Sequence, residues 1–140
     1  MSGLHLAHLL LLGMWAGLVF AEVIVELLPR THPELWPAAI RFHFWMDLLV
    51  EAPILFGVVT TGALLLMHGP IDPALAVKSA AGLLAVGANA TCIVVVVRRA
   101  RSRTDAARVR RLSAGVLATA LLGIPCALVA FILGLQRLRW

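Results

Sequence analysis

Charge is scarce in this 140-residue chain. Only 14% of its residues are charged and 61% are hydrophobic, against about 25% and 45–50% in a soluble domain. The shortage of charge excludes an ordinary soluble domain, and the apolar content excludes disorder. Cysteine is nearly absent as well. Cys92 and Cys126 lie in separate apolar runs at different expected depths. They lack zinc-finger spacing, so they read as small packing residues and not as a disulfide or a metal clip. The segment Met1–Leu12 carries no lysine or arginine. It therefore lacks the positive region of a secretory signal and reads as the start of a retained helix. Internal repeats and low-complexity tracts are missing too.

What remains is long apolar runs. A membrane-crossing helix needs about 20 residues, so four spans take up roughly 80 and leave only short connections. The expected spans cover 4–28, 40–67, 73–97 and 112–135. Pro29 closes the first, Asp72 caps the third ahead of Pro73, and Pro125 kinks the fourth. The predicted fold is all-α: one domain, an integral membrane antiparallel four-helix bundle with no room for a soluble catalytic domain. Small residues at helical spacing (Gly115, Thr119, Gly123 and Ala127; Ala81, Ala85 and Asn89) mark spans three and four as a close-packed scaffold. Asn89-Ala90-Thr91 matches a glycosylation acceptor but falls inside a span, where it has no meaning.

Seven arginines crowd one connection: Arg98, Arg99, Arg101, Arg103, Arg108, Arg110 and Arg111. With Arg30 and Arg41 they put most of the positive charge on one side, which the positive-inside rule makes cytoplasmic. Lys78, Arg137 and Arg139 are left for the other side. Both termini are then expected on the outer side of a bacterial-type inner (plasma) membrane, crossed several times. Trp36, Trp45 and Trp140 fall near expected interfaces. The arginine run has no interleaved aromatics, so nucleic acid is not an expected partner; the lipid bilayer is.

Four of the seven carboxylates lie in the first two apolar runs: Glu22, Glu26, Asp47 and Glu51. An ionised carboxylate at the centre of a span costs about 2.5–3.5 kcal/mol even on a permissive insertion scale. No lysine or arginine lies in either run to offset it. Glu22 and Glu26 share a helix face, as do His43, Asp47 and Glu51. Folding the chain back near residue 35 puts residue i level with about 70 minus i. Glu26 then meets His43, Glu22 meets Asp47, and Glu51 lies a turn deeper. Pro53 frees the carbonyl of Leu49 as a further acceptor.

Four carboxylates and an imidazole converging between helices are the donors of di-iron and di-manganese bundle sites. The Glu-x-x-His pairs of that class are missing here, and any second imidazole would have to be His32. The expected cofactor is a divalent transition metal (Fe, Mn or Zn) held by Glu22, Glu26, His43, Asp47 and Glu51. Two other readings stay open: a proton- or cation-conducting polar seam, and acids buried against a partner subunit's arginines. A second cluster, His5, His8 and His68, gathers at the outer end. Two histidines on adjacent helices can ligate haem b from both sides or hold a second metal. Plain interfacial histidines are the third possibility.

His5-Leu6-Ala7-His8, followed by Trp15-Ala16-Gly17, resembles the opening helix of the CopD-like and HemJ-like membrane proteins. Pro53 to Leu66, with Thr60-Thr61-Gly62, is loosely similar to their next helix. The likeness covers about half of the chain. It implies haem or copper handling in a membrane, with His8 as the matching histidine. The four intramembrane acids are not part of that family's pattern.

Together these features point to a membrane metal-binding protein, with a metal-dependent oxidoreductase as the enzyme reading. The alternatives are a b-type haem cytochrome, a proton or metal-cation transporter needing a homodimer to enclose a path, and an accessory subunit of a larger respiratory complex.

Overall fold

Each apolar run folds as a long helix. In the computed structural model, residues 3–67, 72–102 and 105–137 are described, and among them the secondary structure is helical with no strand. Helix α1 covers Gly3–Thr31. A single 3-10 turn, Pro33–Leu35, leads into α2, Trp36–Met46. A π-helical turn, Asp47–Glu51, joins α2 to α3, Ala52–Met67. Helix α4 covers Pro73–Arg101 and α5 covers Ala106–Arg137. Four stretches, Gly3–Thr31, Pro33–Met67, Pro73–Arg101 and Ala106–Gln136, are long and apolar enough to cross a membrane. At 1.5 Å per residue, the 29 residues of α1 reach about 44 Å. That exceeds the roughly 30 Å hydrocarbon core, so the helix ends extend past it.

Four boundaries differ by three residues or more from the expected ones, one being that of the second span, whose α-helix starts at Trp36 and not at residue 40. Helix α1 runs through Pro29 to Thr31. Proline forfeits only one backbone bond, and the Thr31 hydroxyl caps the carbonyl of Leu28 at 3.0 Å. Helix α4 continues past Val97 to Arg101, and α5 starts at Ala106, six residues before Leu112. Asp105 provides that early start, because its carboxylate accepts from the backbone N–H of Arg108 at 2.9 Å. The arginine-rich connection is thus mostly helix. Asp72 caps α4 as expected, accepting from Leu75 N–H at 2.8 Å.

Helix α4 packs most extensively on α5, and α1 on α3. A Cβ on Gly123 would lie 3.3 Å from Ala88 Cβ, one on Gly115 3.4 Å from Val95, and one on Gly82 3.9 Å from Ala130. Small residues therefore set how closely α4 and α5 approach. A Cβ on Gly57 would meet Leu11 at 3.0 Å, so α1 and α3 are similarly close. An apolar core of Trp15, Ile54, Leu55, Val58 and Ala85 joins α1, α3 and α4. Large apolar side chains such as Phe20, Phe56, Leu83 and Leu121 point outward, as a chain solvated by lipid requires.

Candidate metal centre

Polar side chains are buried together at the C-terminal end of α1: Glu22 6% exposed, Glu26 1%, His43 2%, Asp47 1%, Glu51 1% and Arg99 0%. Three elements bring them together. Helix α1 contributes Glu22 and Glu26 on one face. Helix α2 and the π-helical turn contribute His43, Asp47 and Glu51. Helix α4 contributes Arg99 from its last turn.

The π-helical turn has a local cause. Pro53 has no N–H to return to Leu49, and the N–H of Ala52 bonds the carbonyl of Asp47 five residues back. The wider turn covers Asp47–Glu51, both ends of which are buried in the cluster. Short π turns of this kind occur often at functional sites.

His43 is the hub. Its Nδ1 lies 3.3 Å from Glu26 Oε2. Its Nε2 lies 3.3 Å from Asp47 Oδ1 and 3.8 Å from Glu22 Oε2. One donor atom each from Glu22, His43 and Asp47 fall within 4.8 Å of one another. Bonds of about 2.1 Å to a tetrahedral ion separate its ligands by roughly 3.4 Å, so the Nε2 distances fit a shared ion. Glu51 extends the cluster into the bundle, where its Oε1 accepts from the indole N–H of Trp15 at 3.1 Å.

In the sequence, Arg99 belongs to the arginine run and carries only a topology signal. Its Nη1 lies 2.7 Å from both oxygens of Glu26 and donates to Ser113 Oγ at 3.0 Å. Its Nη2 lies 3.2 Å from His43 Nδ1. The first two helical stretches hold Arg30 and Arg41, both exposed, and the buried cation comes from α4. Arg99 is one of seven arginines in its stretch, and nothing in their spacing sets it apart. Its burial comes from α4 continuing four residues beyond the expected end.

One guanidinium does not satisfy four carboxylates. Glu26 is fully engaged, whereas Glu22 Oε1 and both Asp47 oxygens are buried without a hydrogen-bond partner among the described residues. Asn89 Nδ2 and Arg99 Nε share that condition. Such atoms are rare because each forfeits its hydration without recompense.

The histidines near the N-terminal end of α1 are arranged differently. Thr61 donates its hydroxyl hydrogen to Gly57 O at 2.7 Å, so it accepts from His8 Nδ1–H at 2.8 Å. The ring packs over Gly62, where a Cβ would come within 3.2 Å of it. His5 is exposed one turn earlier, and His68 lies outside the described residues, as do Arg103, Arg139 and Trp140. His32 is exposed and lies 3.4 Å from Glu34, away from the acidic cluster. Cys92 and Cys126 are both free thiols.

Comparison with protein families, with curated proteins and with solved structures finds no match to this chain. The likeness of the first span to CopD-like and HemJ-like proteins therefore rests on its own residues.

Proposed function

We propose that the chain is a multi-pass membrane protein that binds a divalent transition metal between its first two spans. Glu22, His43 Nε2 and Asp47 are the ligands; Glu51, expected as a ligand from sequence, lies outside that group and is bonded to Trp15 instead. The observation that carries this reading is the set of unpartnered oxygens. Arg99 offsets one carboxylate, and three remain buried around a single imidazole. A cation supplies the missing positive charge and gives the oxygens of Glu22 and Asp47 something to bind. Carboxylate and imidazole donors favour Fe, Mn or Zn over Cu(I). Three protein ligands leave positions open for water or substrate, as in catalytic sites, and this suits a metal-dependent redox role.

We further infer an antiparallel bundle with both termini on the outer side. Paired positions support it: His8 with Thr61, Trp15 with Glu51 and Glu26 with His43. Arginines on the last turn of α4 and the first turns of α5 favour the cytoplasmic side for that end.

Elemental analysis of the protein purified in detergent is the test. The wild type is expected to carry close to one Fe, Mn or Zn per chain. Asp47→Ala is expected to lower that content about tenfold or more, since even outer-sphere changes weaken metal sites 10–100-fold, while far-UV circular dichroism stays unchanged. A wild type without metal, or full loading of Asp47→Ala, would overturn the assignment.

A cation path is the second reading. The polar contacts run unbroken from Arg99 through Glu26 and His43 to Asp47. Toward the outer end, Ile54, Leu55, Val58 and Ala85 form an apolar plug. Cation flux in liposomes that is lost in Glu51→Gln and needs no bound metal would favour this path over a resident ion.

A further inference from the structure

Metal sites built on histidine depend on what holds the other ring nitrogen. At His43 that nitrogen is Nδ1: with Nε2 turned to an ion, Nδ1 carries the ring hydrogen and donates to Glu26 Oε2 at 3.3 Å, while Arg99 Nη2, itself only a donor, lies 3.2 Å away and makes no bond to it in that tautomer. The same guanidinium grips both oxygens of Glu26 at 2.7 Å through Nη1. Ser113 on α5 fixes Nη1 from behind at 3.0 Å. Arg99 thus acts on the ring through Glu26: it fixes the carboxylate that accepts from His43 Nδ1–H. Once the Nδ1 edge is taken, Nε2 is the edge turned toward Asp47 and Glu22.

We propose that Arg99 is a positioning residue. It does not touch the ion. It holds Glu26, which accepts from His43 Nδ1–H, so that Nε2 faces Glu22 and Asp47, and it ties the site to the α4–α5 pair. This inference rests on the metal-binding reading above only for its consequence, not for its geometry.

Its chemistry separates positioning from mere charge neutralisation. A lysine keeps the positive charge but carries it on a flexible stem as a compact, strongly hydrated ammonium, so it does not hold Glu26 against Ser113 in the fixed geometry that the rigid guanidinium imposes. If Arg99 only offsets Glu26, Arg99→Lys should behave as wild type. If it positions the ring, Arg99→Lys should fail almost as fully as Arg99→Gln.

The experiment uses the full chain in lipid nanodiscs with Zn²⁺ as the probe, and has two readouts. The first is the Zn²⁺ affinity of wild type, Arg99→Lys and Arg99→Gln, with helicity checked by circular dichroism. Both variants are expected to bind 10–100-fold more weakly, the usual effect of removing an outer-sphere partner. The second is the ¹⁵N spectrum of the His43 imidazole in the zinc-free protein, assigned by its loss in His43→Gln. Wild type is expected to show one sharp set of ring signals, and both variants shifted or broadened ones. Wild-type affinity and wild-type ring signals in Arg99→Lys would overturn the proposal. Should wild type bind no Zn²⁺, Fe²⁺ or Mn²⁺, the metal reading fails, and the ring signals alone still decide whether Arg99 orients His43. If a variant loses its helicity, a Ser113→Ala chain, which frees one side of the guanidinium, takes its place under the same two readouts.

Discussion

Glu26 and Arg99 are each nearly or fully buried, so neither can lose its partner cheaply. Removing one member of such a pair leaves an uncompensated charge and costs about 3–5 kcal/mol. Glu26→Leu is therefore expected to lower the thermal midpoint in detergent sharply. The double change Glu26→Leu with Arg99→Leu should recover much of the loss, because both charges are then gone. A single variant as stable as wild type would show that the pair is hydrated. The meeting of Glu26 with His43, and of Glu22 with Asp47, was legible from i, i+4 spacing and a fold-back near residue 35. The contacts of His43 agree with that register. The grip of Arg99 on Glu26 was not legible. It joins residues 73 positions apart, and no local pattern encodes a contact between spans that distant in sequence.

The π-helical turn governs the aim of the second span. It sets the angle between His43 and Asp47 on one side and the core residues Ile54, Leu55 and Val58 on the other. Deleting Leu49, which is 63% exposed and faces outward, removes one residue from the turn and rotates one half of the span by about 100° relative to the other. The span stays helical, yet His43 and Asp47 leave the site, so metal content should fall to background. Leu49→Ala keeps the residue count and should load normally. Equal loading of both chains would mean that the turn has no part in the site. The sequence announced a break through Pro53 but not its kind, since a proline can be met by a kink, a loop or a widened turn. At the other helices, Asp72 was readable as a cap because it precedes Pro73. Asp105 lies within an arginine-rich stretch with no proline after it, so nothing local marks it as the cap that starts α5 at Ala106.

Across the whole molecule, composition alone dictated a helical membrane protein, because apolar runs of this length leave helices as the way to satisfy the backbone in lipid. The arrangement adds a division of labour. Helices α4 and α5 pack through small residues, while α1 and the second span carry the acids and the imidazole. Gly123→Leu should force α4 from α5 and lower the thermal midpoint, since a Cβ there already meets Ala88 at 3.3 Å. Because Arg99 and Ser113 sit on the displaced pair, metal affinity should fall with it. Loss of stability with intact affinity would show that the scaffold and the site are independent.

The central claim is that a metal ion sits among Glu22, His43 and Asp47, and X-ray absorption at the metal edge tests it most directly. The account predicts a first shell of light atoms at about 2.0–2.2 Å, with the multiple-scattering signature of a single imidazole that disappears in His43→Gln. A sulfur shell near 2.3 Å, which would implicate Cys92 or Cys126, or a signal unchanged in His43→Gln, would contradict it.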